Sequence, residues 1–204
     1  MKKILVGLTA LTMATSVMAG ERTIVETRIG GSFAGSYKSQ SIEGVKVLDS
    51  KTSGIGYEVA IEGMQEITDD FFLGLGVAYQ NHAKNKNVLA DVNGSGPVYK
   101  KKQLSKSVPL YLTAKYQFNT NTAFKPFVKA NFGYSFNLKG DEVMKDKPGV
   151  ENGLYYAVGA GIDYNNFVLD LAYQVNQGKL KSPYGKLKAD HSRVTLGFGY
   201  RLNL

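Results

Sequence analysis

Residues 191–204 read H-S-R-V-T-L-G-F-G-Y-R-L-N-L, and their pattern is the strongest indication of the fold. From Val194 to Leu204 every second position carries a large apolar or aromatic residue, and the positions between them carry threonine, glycine, arginine or asparagine. A period of two residues is typical of a β-strand with one apolar face and one small or polar face. The stretch is also longer than the usual strand of ~5–6 residues. It therefore predicts a long two-faced strand of the kind that crosses a membrane in a β-barrel.

The same alternation recurs along the chain. The predicted strands are residues 23–34, 54–67, 71–81, 104–118, 124–137, 153–164, 167–176 and 191–204. The phase of the second strand slips near Gly63 and Met64, which predicts a β-bulge there. The composition agrees, since 13 tyrosines and 23 glycines with only 5 prolines favour strands over helices. The sequence predicts an all-β fold.

The connections between these strands alternate between short and long. Short turns are predicted at residues 68–70, 119–122 and 165–166, and long loops at 35–53, 82–103, 138–151 and 177–190. Outer-membrane barrels have short periplasmic turns and long extracellular loops. The pattern predicts an eight-stranded antiparallel up-and-down transmembrane β-barrel with both termini in the periplasm.

The amino terminus has the features of an export signal. Lys2 and Lys3 precede an apolar run that begins at Ile4, and small or modest side chains lead to Ala19. The run is short compared with the ~20 apolar residues of a membrane helix, which is the alternative interpretation. We predict a signal peptide over residues 1–19 and one barrel domain over residues 20–204. No cysteine is present, which excludes disulfides and thiolate metal sites.

Alternation alone does not decide which face lies outside, because a soluble lipocalin-type barrel hides its apolar face. The interior of an eight-stranded barrel is just wide enough to be filled by side chains, and the bulky set would crowd it. We therefore predict that residues such as Leu75, Leu112, Val158 and Leu196 contact lipid. The aromatic residues also fall near the strand ends, as in the two girdles of a membrane barrel.

The opposite face carries equal numbers of acids and bases. The predicted lumen residues are Glu26, Arg28, Glu58, Glu62, Lys115, Lys129, Asp163, Asp170, Arg193 and Arg201. Buried charges persist when they are paired and hydrogen-bonded. The set predicts an ion-pair network that fills the lumen; a gated pathway for small solutes is the alternative.

The sequence offers little for catalysis. A serine nucleophile needs a histidine base within hydrogen-bond reach, and only His82 and His191 are available. In a strand, His191 and Ser192 point to opposite faces, and no serine lies beside His82 in the sequence. Metal-ligand spacings and nucleotide-binding motifs are absent too. We predict no catalytic, cofactor or metal site.

Positive charge concentrates in two of the long loops, in a chain with a formal net charge of +8. The basic residues are Lys84, Lys86, Lys100, Lys101, Lys102, Lys179, Lys181, Lys186 and Lys188. They are either a solvated surface or a patch that attracts polyanions such as lipopolysaccharide phosphates, host glycosaminoglycans or nucleic acid.

Several stretches resemble the small outer-membrane β-barrel family, which includes OmpX-like, OmpA-barrel-like and opacity-type proteins. They are S-V-P-L-Y-L-T-A-K-Y-Q-F at residues 107–118, K-P-F-V at 125–128, G-A-G-I-D-Y at 159–164, and the closing strand. Within that strand Thr195, Gly197, Tyr200 and Leu202 resemble the C-terminal sorting signal of outer-membrane proteins, although an aromatic residue is commoner than Leu204 at the last position.

The resemblance implies a monomer in the cell outer membrane, in contact with lipid and lipopolysaccharide and inserted by the barrel-assembly machinery through its last strand. It is specific for fold and location, and weak for activity. A non-enzymatic structural or adhesin-like surface role is expected, with a narrow passive channel as the alternative. A lipid-modifying enzyme is disfavoured by the placement of the histidines.

Overall fold

The computed structural model describes residues 22–37, 40–42, 45–48, 52–93, 96–102, 105–139, 151–182, 185–188 and 190–204. The predicted signal peptide and residues 140–150 of the third predicted loop lie outside them. In chain order the strands of this part are β1 (Thr23–Tyr37), β2 (Gln40–Ile42), β3 (Val45–Leu48), β4 (Thr52–Ser53), β5 (Gly56–Thr68), β6 (Phe71–Asn81), β7 (Lys84–Asn93), β8 (Gly96–Lys102), β9 (Ser105–Gln117), β10 (Phe124–Lys139), β11 (Gly153–Tyr164), β12 (Phe167–Asn176), β13 (Lys179–Ser182), β14 (Gly185–Lys188) and β15 (His191–Asn203). No helix in these ranges has the length and hydropathy to cross a bilayer.

Eight of these strands close into a barrel in the order β1-β15-β12-β11-β10-β9-β6-β5. Neighbouring strands are antiparallel, and β1 closes the barrel by pairing with both β15 and β5. The prediction of an eight-stranded antiparallel barrel is confirmed. The predicted strands agree with the barrel strands at both ends for β6, β11 and β12, and within three residues elsewhere.

The three short turns are where the sequence places them, all at one end of the barrel. The turns after β5 and β11 are two residues long, and in them Asp70 has φ 64° and Asn165 has φ 54°. This left-handed conformation is one that Asp and Asn adopt more readily than other non-glycine residues. The turn chemistry therefore fixes the register of these two hairpins.

Three of the predicted long loops contain strands of their own, which the sequence pattern did not predict. β13 pairs with β14, β7 pairs with β8, and β2, β3, β7 and β4 form a small sheet. The segments carry strand signals of their own: β3 reads V-K-V-L, and K-L-K recurs on both sides of the β13–β14 hairpin. β-branched residues and two-residue alternation favour extended backbone in a loop as they do in the wall.

The prediction of a β-bulge at Gly63 and Met64 is wrong. β1 and β5 pair without interruption through Val25↔Gly63 and Ile24↔Met64, and β5 shifts register against β6 only between Glu66 and Thr68. Met64 continues the inward face and packs with Ile24 and Phe72, all three fully buried. The apparent phase slip arose because the inward face is itself apolar at this end of the barrel.

The side chains have the predicted sidedness. Leu75, Leu112, Val158 and Leu196 are 43%, 55%, 60% and 49% exposed. Aromatic rings contact one another outside the barrel at both ends, with Phe124 stacked on Tyr164 near the turns and other pairs towards the long connections. A wall of large apolar side chains facing outwards requires lipid around it.

Candidate functional site

The lumen holds all ten of the charged residues predicted for it. Each is at most 6% exposed, and each makes at least one ion pair. The ion pairs form three groups along the barrel axis, and Arg28 links two of them. We call this set the lumen network.

Glu58 is the centre of the group nearest the long connections. Its two carboxylate oxygens accept hydrogen bonds from Arg28 at 2.7 Å and Arg193 at 2.6 Å. Gln80 donates to it at 2.7 Å and Gln174 at 3.2 Å. Four donors on one buried carboxylate satisfy its lone pairs, which is the condition for keeping a charge out of water.

The middle group joins Glu62, Lys129 and Asp170. Lys129 Nζ lies 2.9 Å from Glu62 and 3.8 Å from Asp170. Tyr111 donates its hydroxyl to Glu62 at 2.8 Å. Arg28 pairs with Asp170 as well as with Glu58, so a single guanidinium connects the middle group to the group above it.

The third group lies near the short turns. Lys115 Nζ lies 2.5 Å from Glu26 and 2.9 Å from Asp163. Arg201 contacts Asp163 at 2.9 Å and also donates to the backbone carbonyl of Asn165 at 2.9 Å. The network is thereby tied to the β11–β12 turn.

More aromatic volume enters the lumen than the residue pattern predicts. Tyr111, Tyr155, Phe72 and Phe127 are among the largest fully buried side chains, and the two tyrosine rings lie 5.1 Å apart. Inward glycines make room for such rings, since a Cβ built at Gly76 would lie 2.4 Å from the ring of Tyr111. The four rings occupy inward positions of the same two-residue alternation that placed the charged residues in the lumen. Rings and ion pairs together fill the bore.

The end of the lumen nearest the long connections holds a contact that the sequence did not suggest. His82 Nε2 lies 2.7 Å from Ser107 Oγ, although the two residues are 25 positions apart. The inference that His82 lacks a nearby serine therefore does not hold in three dimensions: β9 returns beside β6 and brings Ser107 to it. Both side chains are buried.

The hydrogen-bond directions at His82 do not favour a nucleophile. Arg193 donates towards His82 Nδ1 at 3.4 Å, which leaves the ring proton on Nε2. Nε2 then donates to Ser107, and Ser107 donates to Asn137 Oδ1 at 2.7 Å. A general base must accept the proton of the serine hydroxyl. Here His82 donates its own proton to Ser107 instead. Burial lowers the pKa of His82 well below its usual range, and the nearby His191 and Arg193 lower this pKa further.

The predicted basic residues fall on the two hairpins beyond the barrel. Lys84 and Lys86 lie in β7, residues 100–102 in β8, Lys179 and Lys181 in β13, and Lys186 and Lys188 in β14. In the β13–β14 hairpin the register brings four of them together as Lys179↔Lys188 and Lys181↔Lys186. We call this hairpin the lysine hairpin. In the β7–β8 hairpin lysines instead pair with other residues, as in Asn85↔Lys102 and Val88↔Lys100.

Among the described residues no group of three or more His, Cys, Asp or Glu side chains is arranged to hold a metal ion. The charged groups of the lumen are instead engaged with one another. The arrangement is thus a packed, ion-paired barrel with basic hairpins at one end.

Comparison with known proteins gives the same architecture. The chain is 22% identical over 231 residues to an uncharacterized protein of Pasteurella multocida (strain Pm70), with 98% of each chain covered. Among solved structures it resembles the outer membrane protein OprG of Pseudomonas aeruginosa, with a TM-score of 0.55 and 16% identity over 91% of this chain and 97% of the other. At that identity the likeness concerns the fold alone. The model of the outer membrane protein beta-barrel domain matches residues 7–201, and the chain therefore belongs to this family of outer-membrane β-barrels.

Proposed function

We propose that the protein is a non-enzymatic surface protein of the outer membrane. In this account the barrel is a rigid support, exported by the signal peptide of residues 1–19, and the basic hairpins face the cell exterior and bind polyanions. The observation that carries the proposal is the register of the lysine hairpin, Lys179↔Lys188 and Lys181↔Lys186.

Like charges directly opposite one another destabilise an antiparallel pair. The two lysine pairs therefore cost stability unless an anion lies across them. Phosphate or sulfate groups spaced along a polymer meet this need, because one chain reaches several ammonium groups at once. Binding of a polyanion therefore explains the two lysine pairs, whereas the stability of the hairpin alone does not.

The filled lumen argues against the alternative of a passive channel. Arg193, Tyr111 and Tyr155 are large side chains with at most 2% exposure inside the barrel. The interior of an eight-stranded barrel holds little beyond its own side chains. Any solute path needs several buried ion pairs to separate first.

Retention on immobilised heparin tests the proposal. We expect a variant with Lys179, Lys181, Lys186 and Lys188 all changed to Gln to elute at clearly lower salt than the native protein, since four ammonium groups are lost. Lys125→Gln, near the short turns at the opposite end, is the control and should elute with the native protein. Equal elution of the fourfold variant and the native protein would contradict the proposal.

A further inference from the structure

Three buried rings lie together at the end of the lumen nearest the long connections. The ring of His191 contacts both of the others, with centroid distances of 4.5 Å to Tyr37 and 4.3 Å to His82. Each of the three residues is 2% exposed. The next inward residues along β6 and β12 are Gln80 and Gln174, which donate hydrogen bonds to the lumen network. We call the three rings the ring cap, because they cover this polar layer.

A β-bulge turns Tyr37 into the lumen. Between Phe33 and Ser36 the pairing shifts register, because β1 advances by three residues while β15 advances by two. Before the bulge the odd-numbered residues of β1 face lipid, as Phe33 does, whereas Tyr37 after it is buried. Ala34, inside the bulge, has φ 50°, a left-handed conformation that is costly for a residue with a Cβ. The end of β1 is therefore held at a strained point, where local separation from β15 is easiest.

His191 is buried without a hydrogen bond. Neither of its ring nitrogens has a partner within the described residues. Its Nε2 lies close to Gly35, since a Cβ built there would be 3.2 Å from this nitrogen and 2.8 Å from Thr52 Oγ1. The Thr52 hydroxyl is already used, because it donates to the Gly35 carbonyl at 2.6 Å. A protonated imidazole carries a charge and two N–H donors, and burying it in this position costs far more than burying the neutral ring.

His82 meets a different obstacle to protonation. Its Nε2 proton is used in the 2.7 Å hydrogen bond to Ser107, so a second proton has to bind Nδ1. That nitrogen lies 3.4 Å from Nη1 of Arg193, and two donors would then face each other. With its pKa lowered by burial, His191 and Arg193, His82 is neutral at pH 7 in the closed cap.

The charged groups around the ring cap do not compensate a proton on either ring. Arg193 faces the lumen two residues after His191 on β15, and its charge opposes further positive charge beside it. Glu58 on β5 balances Arg193 at 2.6 Å but is shared with a second arginine. Asp190, next to His191 in the chain, accepts a hydrogen bond from Gly178 N–H at 3.2 Å. Neutral groups complete the surroundings: the phenol of Tyr37 from β1, the hydroxyls of Thr52 from β4 and Ser107 from β9, and the amides of Asn137 from β10 and Asn176 from β12.

We propose that the ring cap is an acid-sensitive closure of the lumen. At neutral pH the three rings are uncharged and seal the polar layer beneath them. Free histidine takes up its proton near pH 6.5, so below about this pH proton uptake favours a state in which both histidines are hydrated and the end of β1 has separated from β15. Glu58 and Arg193 keep their charges, and the ion pairs below stay closed. The switch goes beyond polyanion binding and does not depend on it.

Thiol labelling measures the opening of the cap. In a chain without native cysteine, Asn176→Cys places one thiol opposite His191, at a position that is 3% exposed in the native protein. The refolded protein in lipid vesicles is treated with a charged thiosulfonate reagent at pH 7.5 and pH 5.0. Each rate is divided by that of Asp69→Cys, in an exposed turn, so that the pH dependence of the reagent cancels. A histidine that is protonated only in the open cap raises this relative rate about thirtyfold between the two pH values, and two histidines raise it by several hundredfold.

His191→Phe is the matched variant, because it keeps a ring in the cap and loses no hydrogen bond among the described residues. With His82 still present, the relative rate should rise only about thirtyfold. Adding His82→Gln should remove the pH dependence. A relative rate that is equal at both pH values when both histidines are present would overturn the proposal, as would a rise that His191→Phe leaves undiminished. If the double variant fails to fold in the gel mobility assay, the comparison of His191→Phe with the native cap decides.

Discussion

Replacing Glu58 by glutamine gives the sharpest test of the lumen network. The amide keeps the shape of the side chain but removes the charge that Arg28 and Arg193 share. Arg28 retains Asp170, whereas Arg193 has no second carboxylate partner within the described residues. Leaving one partner of a buried ion pair without its counter-charge costs ~3–5 kcal/mol. We expect Glu58→Gln to lower the free energy of unfolding by about this amount.

A double-mutant cycle separates the ion pair from general disruption. If Arg193→Gln is combined with Glu58→Gln, both charges leave together, and the double variant should be more stable than the sum of the single effects by ~2 kcal/mol or more. Asp69→Asn, in an exposed turn, is the control and should change stability by less than ~0.5 kcal/mol.

Urea unfolding in lipid vesicles measures these differences. The chain has no tryptophan, so far-UV circular dichroism and the mobility shift of unheated samples on gels are the suitable signals. Single effects that add within ~0.5 kcal/mol would refute the ion-pair account, as would a Glu58→Gln variant as stable as the Asp69→Asn control.

Three further predictions follow from the packing of the barrel. Gly161→Ala should destabilise the barrel by ~1–3 kcal/mol, because the new Cβ would lie 2.3 Å from a backbone oxygen and 2.5 Å from the ring of Phe127. The control is Gly63→Ala, whose new Cβ meets no atom within 4 Å. This control variant should fold normally in the same gel assay. Tyr111→Phe should cost ~1–3 kcal/mol in urea unfolding, since a buried Glu62 oxygen loses its hydroxyl donor; unchanged stability would argue against that bond. Because the native chain has no cysteine, single cysteines at Leu112 and Thr113 can be treated with a lipid-soluble maleimide in the folded protein. The reagent should modify position 112, which is 55% exposed, and leave the buried position 113 unmodified; the reverse result would invert the two faces.

The sequence was sufficient for the wall of the barrel. Alternation fixed which residues of β15 face lipid, and the turn residues Asp70 and Asn165 fixed where two hairpins reverse. Both signals depend only on residues that are close together in the chain, so they can be recognised in a single sequence. The same parity placed Glu58 and Arg193 in the lumen without revealing that they pair.

The interior contacts depend on closure of the barrel, which the sequence does not display. Glu58 and Arg193 are 135 residues apart and lie on β5 and β15, which are not adjacent but flank β1. His82 meets Ser107 for a related reason, since β6 and β9 pair across the β7–β8 hairpin. Which groups meet is set by the stagger of eight strands, and a period of two carries no information on stagger.

Electrical recording from the purified, refolded protein in a planar lipid bilayer shows whether the bore is filled by its own ion pairs and aromatic rings. If the bore is filled, insertion adds no step in conductance above the background of the bare bilayer. Discrete, reproducible conductance steps from the native protein would contradict it.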